Sequence, residues 1–265
     1  MTPASTRKND FSRLRTPVLA AAAVAVVGAM QPARAEEPRA VIELFTSQGC
    51  SSCPPADELL AQLASDPGLI TLSLHVDYWD RLGWKDTLAK HAFTERQYDY
   101  AKTRGDGEVY TPQAVINGVA YTVGSRRAGI ETAADVTSRR LTVPLSLART
   151  GGDVVVTVPA GKVPADAATP ARLIALPFVA SRQVAIGRGE NARHEVTYTN
   201  VVRDILPLGD WTGTPLTSTI PASAMKGSDG VVVLLQTGSP RKPGAIIGVG
   251  RIGLRATEER EGSAD

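Results

Sequence analysis

The chain is short of the residues that most often announce a function. Only two of its 265 residues are cysteine and three are histidine. Two cysteines cannot make a disulfide scaffold, because one bridge across a two-residue gap closes too small a loop to restrain the unfolded chain. No serine–histidine–acid arrangement, phosphate loop or nucleotide fingerprint is present, so the sequence points to no cofactor. Carboxylates are plentiful, but no spacing singles out a catalytic pair. There is no internal repeat. Long apolar runs are missing too: Leu19 to Met30 spans 12 residues, too few to cross a bilayer as a helix, and no later stretch is longer.

That run belongs to an address label. Arg7, Lys8, Arg13 and Arg15 precede it, and Ala33-Arg34-Ala35 follows as a small-x-small cleavage site. Residues 1–35 are therefore expected to be a signal peptide for general secretion, cut near Ala35. Arg7-Lys8 makes a poor twin-arginine signal, since Asp10 stands where an apolar residue is wanted. The segment holds five of the 29 Lys and Arg and one of the 27 Asp and Glu, so the formal net charge of +2 becomes −2 without it. No basic stripe remains to argue for nucleic acid. The mature chain is expected to be periplasmic or secreted, where disulfides form and persist.

What is there begins with "AVIELFT" (40–46), a mostly apolar strand. Pro54 and Pro55 suit the first turn of a helix, and Leu59, Leu60 and Leu63 then recur at helical spacing. Asp57 and Glu58 suit the positive end of that helix dipole. Asp66-Pro67-Gly68 stops it, and "LITLSLHV" (69–76) is the next strand, predicted parallel to the first. A polar-aromatic helix is predicted over roughly Thr87 to Arg104, a hairpin turns at Asn117-Gly118, and a helix covers about Arg126 to Ser138. From Leu141 the pattern changes to short strands: "LTVPLSLA", "DVVVTVPA", "RLIALPFVA", "EVTYTNVVRDIL", "GVVVLLQTG" and "AIIGVGRIGL". The expected organisation is an α/β domain over 36–140, a β-rich, sandwich-like domain over 141–256 and a tail at 257–265.

The chemistry concentrates in "GCSSCPP" (49–55) and "YTPQAVINGVAYTVGS" (110–125). Together, in this element order, they resemble the thioredoxin fold, with Cys50 and Cys53 at the redox positions and Thr111-Pro112 at the cis-proline position. More narrowly, "HVDYWDRLGWKD", "RGEN" (188–191) and "TNVVRDI" are similar to an exported bacterial family of thioredoxin-like proteins of unknown function. The resemblance implies an α/β thioredoxin-like N-terminal domain. It has departures: Gly49 replaces the tryptophan before the first cysteine. Leu44 stands where thioredoxins carry a buried acid, and Glu43, one residue off, falls on the other face of its strand.

A thiolate attacks a disulfide, and a helix start favours the anion through unpaired N–H groups and the dipole. Cys50 is accordingly expected to be the exposed attacker and Cys53 the resolving sulfur, with protein thiols or disulfides as substrate. A cis Pro112 would leave the Thr111 backbone free to pair with an extended substrate strand. Tyr78, Trp79 and Trp84 follow the second parallel strand and should lie at the same sheet edge as Cys50, as a platform for a partner or as a cover for the core. His75, His91 and His194 with the cysteines leave open a copper metallochaperone, although no metal ligands are assigned. Ahead of the metallochaperone, the second reading is a non-catalytic binding or assembly module with the cysteines locked as a disulfide. "RGEN" and Asn200–Arg203 would bind an anion or brace a turn. The sequence does not define an oligomeric state.

Overall fold

A computed structural model describes residues 1, 4, 38–164 and 170–254. Its elements all lie in the unit Ala35–Asp265. The expected signal peptide, apart from residues 1 and 4, and the expected tail at 257–265 lie outside the described residues.

The first strand, β1 (Ala40–Thr46), is buried along its whole length. It pairs in parallel with β2 (Leu69–His75), Ala40 facing Leu69 and Thr46 facing His75. The connecting helix α1 (Pro54–Leu63) starts on the two prolines and buries Ala56, Asp57, Leu59, Leu60 and Leu63. Each leucine so buried contributes roughly 1.5–3 kcal/mol. The stop is chemical: Asp66 Oδ1 accepts from Gly68 N–H at 2.8 Å, and Arg39 holds the same carboxylate.

Helix α2 (His91–Arg104) begins four residues later than the sequence pattern suggests. Asp86 Oδ1 accepts from Leu88 N–H at 2.8 Å, and the Lys90 N–H donates to His75 O at 3.2 Å from an extended backbone. Residues 87–90 are thus tied to the end of β2 and not free to coil. Strands β3 (Gln113–Ile116) and β4 (Ala120–Val123) form the expected hairpin, with Asn117 and Gly118 both at positive φ. Asn117 is buried and also accepts from Val41 N–H at 2.7 Å through its side chain. Helix α3 (Arg127–Thr137) follows.

The later strands are β5 (Ser146–Thr150), β6 (Asp153–Val158), β7 (Ala171–Ala185), β8 (Glu195–Val202), β9 (Leu206–Trp211), β10 (Leu216–Ile220), β11 (Gly230–Ser239) and β12 (Lys242–Gly253). One large sheet runs β12-β11-β7-β8-β2-β1-β3-β4, with β9 beside β8 on the same edge of β7. A three-stranded sheet, β10-β6-β5, is separate. The large sheet passes through the expected boundary at 140, because β2 meets β8 in parallel at Ser73 and Val201. Strands β9 and β10 carry no clean apolar alternation, and sequence reasoning missed both.

Period-two alternation distributes the side chains. On β7, Ile174, Leu176 and Phe178 join Phe45, Leu72, Leu74, Phe93 and Val232 in one core. Leu173 and Ala175 face the other way, onto Val154, Val156, Val158 and Trp211, where the three-stranded sheet packs. Ile42 and Leu44 of β1 pack with α1 and α3.

Glu43 points away from α1, as its position on the strand requires. Its carboxylate is wholly buried and accepts from Arg96 Nε at 2.6 Å, Arg96 Nη2 at 3.0 Å and the Tyr100 hydroxyl at 2.5 Å. Gln236 of β11 completes the set, accepting from Arg96 at 3.1 Å and donating to Tyr100 at 2.9 Å. Every partner is used, so this set ties β1, α2 and β11 together as structure. Arg96→Met would leave the Glu43 carboxyl buried without its cation. That variant is expected to lose about 3–5 kcal/mol in urea unfolding, and pairing it with Glu43→Gln to recover part of the loss.

Candidate functional site

Cys50 and Cys53 form a disulfide in the turn from β1 into α1, with their Cα atoms 5.4 Å apart. The turn is built from backbone bonds: Cys50 N–H to Ser47 O at 3.2 Å, then Cys53 N–H to Cys50 O at 3.1 Å. Ser51 and Ser52 are exposed, but both cysteines are fully buried. This corrects the expectation that Cys50 stands open to solvent. The helix start also offers the sulfur less than expected. Pro54 and Pro55 have no N–H, and Ala56 N–H is already donated to Cys53 O at 2.8 Å. The dipole remains, and Ser52 Oγ lies 3.4 Å from Cys50 Sγ as a potential donor.

Two segments cover the disulfide, and Gln48 holds both. Gln48 N–H donates to Asp86 Oδ2 at 2.8 Å, while its side-chain oxygen accepts from Trp84 Nε1 at 2.9 Å. Its carbonyl accepts from Asn191 Nδ2 at 3.0 Å, and the same amide donates to Cys50 O at 2.8 Å. Asn191 is the buried member of "RGEN"; Arg188, Gly189 and Glu190 are exposed. The Trp84 ring packs on Gly187 and its Cβ on Gly189, which joins the 77–86 loop to the 187–194 loop.

Thr111-Pro112 is cis, as the resemblance implies. Trp79 packs against Gly49 and donates from Nε1 to Thr111 Oγ1 at 2.8 Å, so one side chain spans from the cysteine turn to the proline loop. Gly124 donates its N–H to Pro112 O at 2.9 Å, and a Cβ there would sit 3.2 Å from both Ala56 and Pro112. The tightest contact is with β1, since that Cβ would also sit 2.5 Å from Leu44 Cδ1, so a side chain at 124 would force Leu44 to move. Tyr78 donates to Gln97 Oε1 at 3.2 Å, and Gln97 donates to Tyr110 O at 2.7 Å. The three aromatic residues therefore clamp the loops around the disulfide. They are half-buried and act as cover more than as an open platform.

One helical turn past Cys53, where α1 faces β1 and β2, lies a second buried polar set, and this one is incomplete. Six buried side-chain polar atoms lack a hydrogen-bond partner among the described residues, and five belong here: Thr46 Oγ1, both Asp57 carboxylate oxygens, Ser73 Oγ and His75 Nε2. Thr46 and His75 face each other across β1 and β2, and Ser73 shares the face of His75. Each such atom costs about 1–3 kcal/mol. Burial pushes the Asp57 carboxyl up to about 7, against the opposing pull of His75 and Thr46. Burial works the same way on Asp86, but His75 and the N–H groups of Gln48 and Leu88 outweigh it and hold Asp86 below the usual carboxylate range. An ionised Asp86 accepts, so His75 Nδ1 donates to it at 2.8 Å and Nε2 is left facing inward. The Tyr198 ring stands edge-on to His75 at 4.5 Å, its hydroxyl pushed up by burial and by the charges of Asp57 and Asp86.

The sequence pattern puts Asp57 and Glu58 together at the positive end of the helix dipole and does not separate them. Glu58 is exposed; Asp57 is not. The signal available was its position one helical turn beyond Cys53. Gln48, Asp86 and Tyr198 carried no signal. His91 is exposed beside Asp77, and His194 is exposed in the covering loop, so the histidines do not converge. Among the described residues no group of three His, Cys, Asp or Glu is arranged to hold a metal ion. Asn200 donates to Thr71 Oγ1 at 3.0 Å and Arg203 to Gly227 O at 3.3 Å, which braces β8 and its following turn. No described helix is long and apolar enough to cross a membrane.

A buried disulfide held by two loops, with Trp79 linking its turn to a cis-proline loop and an unsatisfied carboxylate one helical turn further on, makes up the candidate site, and residues 41–236 match the family described as protein of unknown function DUF1223. The chain belongs to that family. It is also similar to an Agrobacterium tumefaciens protein whose crystal structure was solved as a structural-genomics target: 37% identity, TM-score 0.74, covering 84% of this chain and 97% of that one. No curated protein matches.

Asp57 makes a pH prediction with a definite sign. The fold keeps its proton up to about pH 7, whereas the unfolded chain releases it near 3.8. Stability from this group is therefore greatest below pH 4, falls as pH rises towards 7 and stays low above it. Asp57→Asn has no such loss. Its stability relative to wild type, measured by urea unfolding, is expected to rise by about 4 kcal/mol between pH 4 and pH 8.

Proposed function

We propose that this protein is an exported thiol–disulfide oxidoreductase that works through Cys50 and Cys53. Its first half would be a thioredoxin-like unit, β1-α1-β2-α2-β3-β4-α3, with the β-rich half supplying part of the cover. The observation that carries this reading is the company the disulfide keeps. A bridge closing a two-residue gap adds little stability, yet it lies at a helix start, tied through Trp79 to the Thr111-Pro112 loop, one helical turn before a carboxylate that has no hydrogen-bond partner among the described residues. Export, read from residues 1–35, would place it where protein thiols and disulfides are its substrates.

Exchange requires an attacking sulfur to reach Cys50 in line with the S–S bond. The covering loop must lift for that, and its hold on the cysteine turn includes the two Asn191 hydrogen bonds, worth about 0.5–1.5 kcal/mol each. Burial of both cysteines favours a second reading, a binding module with a permanently locked disulfide.

The two readings part in one experiment. Cys53→Ser, expressed with export intact, is expected to hold substrates on Cys50 as mixed disulfides in non-reducing gels, whereas Cys50→Ser holds few. A folded Cys53→Ser that traps nothing would establish the locked module. Asn191→Ala is expected to speed reduction of the wild-type disulfide by dithiothreitol about tenfold, because each 1.4 kcal/mol removed from the closed state is a factor of ten in opening. An unchanged rate would show that the loop is not the gate.

A further inference from the structure

We propose that Asp57, backed by the His75–Asp86 pair, is the internal acid and base of the disulfide, giving a proton to Cys53 on reduction and taking it back on oxidation. This rests on the oxidoreductase reading and assigns the proton pathway that the reading leaves open.

Placement comes first. Cys53 has helical dihedrals, φ −79° and ψ −36°, and Asp57 N–H donates to Cys53 O at 3.1 Å. The two side chains are four residues apart on one helical face, where Cβ atoms lie about 5–6 Å from each other. Among the described residues no partner lies within hydrogen-bonding distance of either Asp57 oxygen, although the Thr46 hydroxyl still pulls its proton affinity down, and the residue is 4% exposed. A buried carboxyl so placed pays an energetic cost that no structural contact returns, unlike Glu43, whose every bond is made. The groups facing it are few: Glu58 on its own helix, His75 from β2, Asp86 from the following loop and Tyr198 from β8, with Thr46 of β1 as a neutral neighbour. None is lysine or arginine, so no fixed cation locks Asp57 in its charged form. Its proton is free to move.

A thiolate of a substrate dithiol attacks Cys50 Sγ, forming a mixed disulfide; the Cys50–Cys53 bond breaks and its electron pair leaves on Cys53 Sγ. Asp57, protonated, gives its proton to that sulfur and becomes a carboxylate. The second substrate thiol, losing its proton to solvent, attacks its partner sulfur and expels Cys50. The substrate is oxidised to a disulfide and the cysteine pair is reduced by two electrons. Asp57 then regains a proton from solvent. In the opposite direction its carboxylate takes the proton of Cys53 as that sulfur attacks Cys50. His75 and Asp86 are positioning residues. Asp86 Oδ2 accepts from both His75 Nδ1 and Gln48 N–H, which links the proton-carrying set to the backbone two residues before Cys50.

The test is the pH dependence of disulfide reduction by dithiothreitol, with rates divided by the fraction of reductant present as thiolate. The corrected wild-type rate is expected to fall about tenfold as pH rises through about 7, where Asp57 loses its proton. Asp57→Asn, of the same size, should show no fall over that range and match the slow wild-type limit. His75→Gln should move the break to higher pH, since His75 pulls Asp57 down. In the reduced protein, Asp57 and Cys53 should titrate as a coupled pair by NMR of labelled cysteine Cβ, and Asp57→Asn should leave a single step. A flat wild-type profile, or an Asp57→Asn profile that keeps the break, would overturn the assignment. If Cys53→Ser traps partners while the profile is flat, the oxidoreductase reading stands and Asp57 is excluded. If trapping fails while the break remains, Asp57 titrates the disulfide of a module that is not an enzyme.

Discussion

Gln48 is the constraint from which the site hangs. It is fully buried two residues before Cys50, and it bonds Asp86 through its N–H, Asn191 through its carbonyl, and Trp84 and Thr87 through its side chain. Buried polar groups are expensive unless every one is paired, so the loops at 84–87 and 187–194 have one compatible position relative to the cysteine turn. Remove that node and the cover has no fixed place. The disulfide is thus sealed by chain segments more than a hundred residues apart, meeting at one residue through its backbone N–H and carbonyl as well as its side chain.

The large sheet carries two buried polar sets on opposite faces of β1, and their contrast separates structure from chemistry. Glu43 has its carboxylate filled by Arg96 and Tyr100, with Gln236 behind them. Asp57, Thr46, Ser73 and His75, on the α1 face, leave five polar atoms without hydrogen-bond partners among the described residues. A fold tolerates the second arrangement only at a cost in stability, and such costs gather where a group must change its charge or partner. Here the gathering point lies one helical turn from Cys53.

Local signals carried the elements that short-range physics controls. The strand at 40–46, the prolines opening α1, the Asn117-Gly118 hairpin and the parallel pairing of β1 with β2 follow from alternation, fixed φ and turn chemistry. The late start of α2 did not, because His75 O and Asp86 capture residues 88–90 from another element. Strands β9 and β10 were hidden because they are partly exposed and pair with β7 and β6, so little apolar pattern marks them.

The sequence by itself determined that two cysteines two residues apart lie between a strand and a helix, that a Thr-Pro opens a later hairpin, and that Glu43 turns away from the cysteine helix. These follow from spacing and period alone. Tertiary structure decided that Cys50 is covered, that Asn191 of "RGEN" is bonded to its carbonyl, and that Asp57 is buried while its neighbour Glu58 is not. Exposure and proton affinity depend on what the rest of the chain brings within a few ångströms, and in this fold those neighbours come from β2, β8 and a loop some 140 residues away.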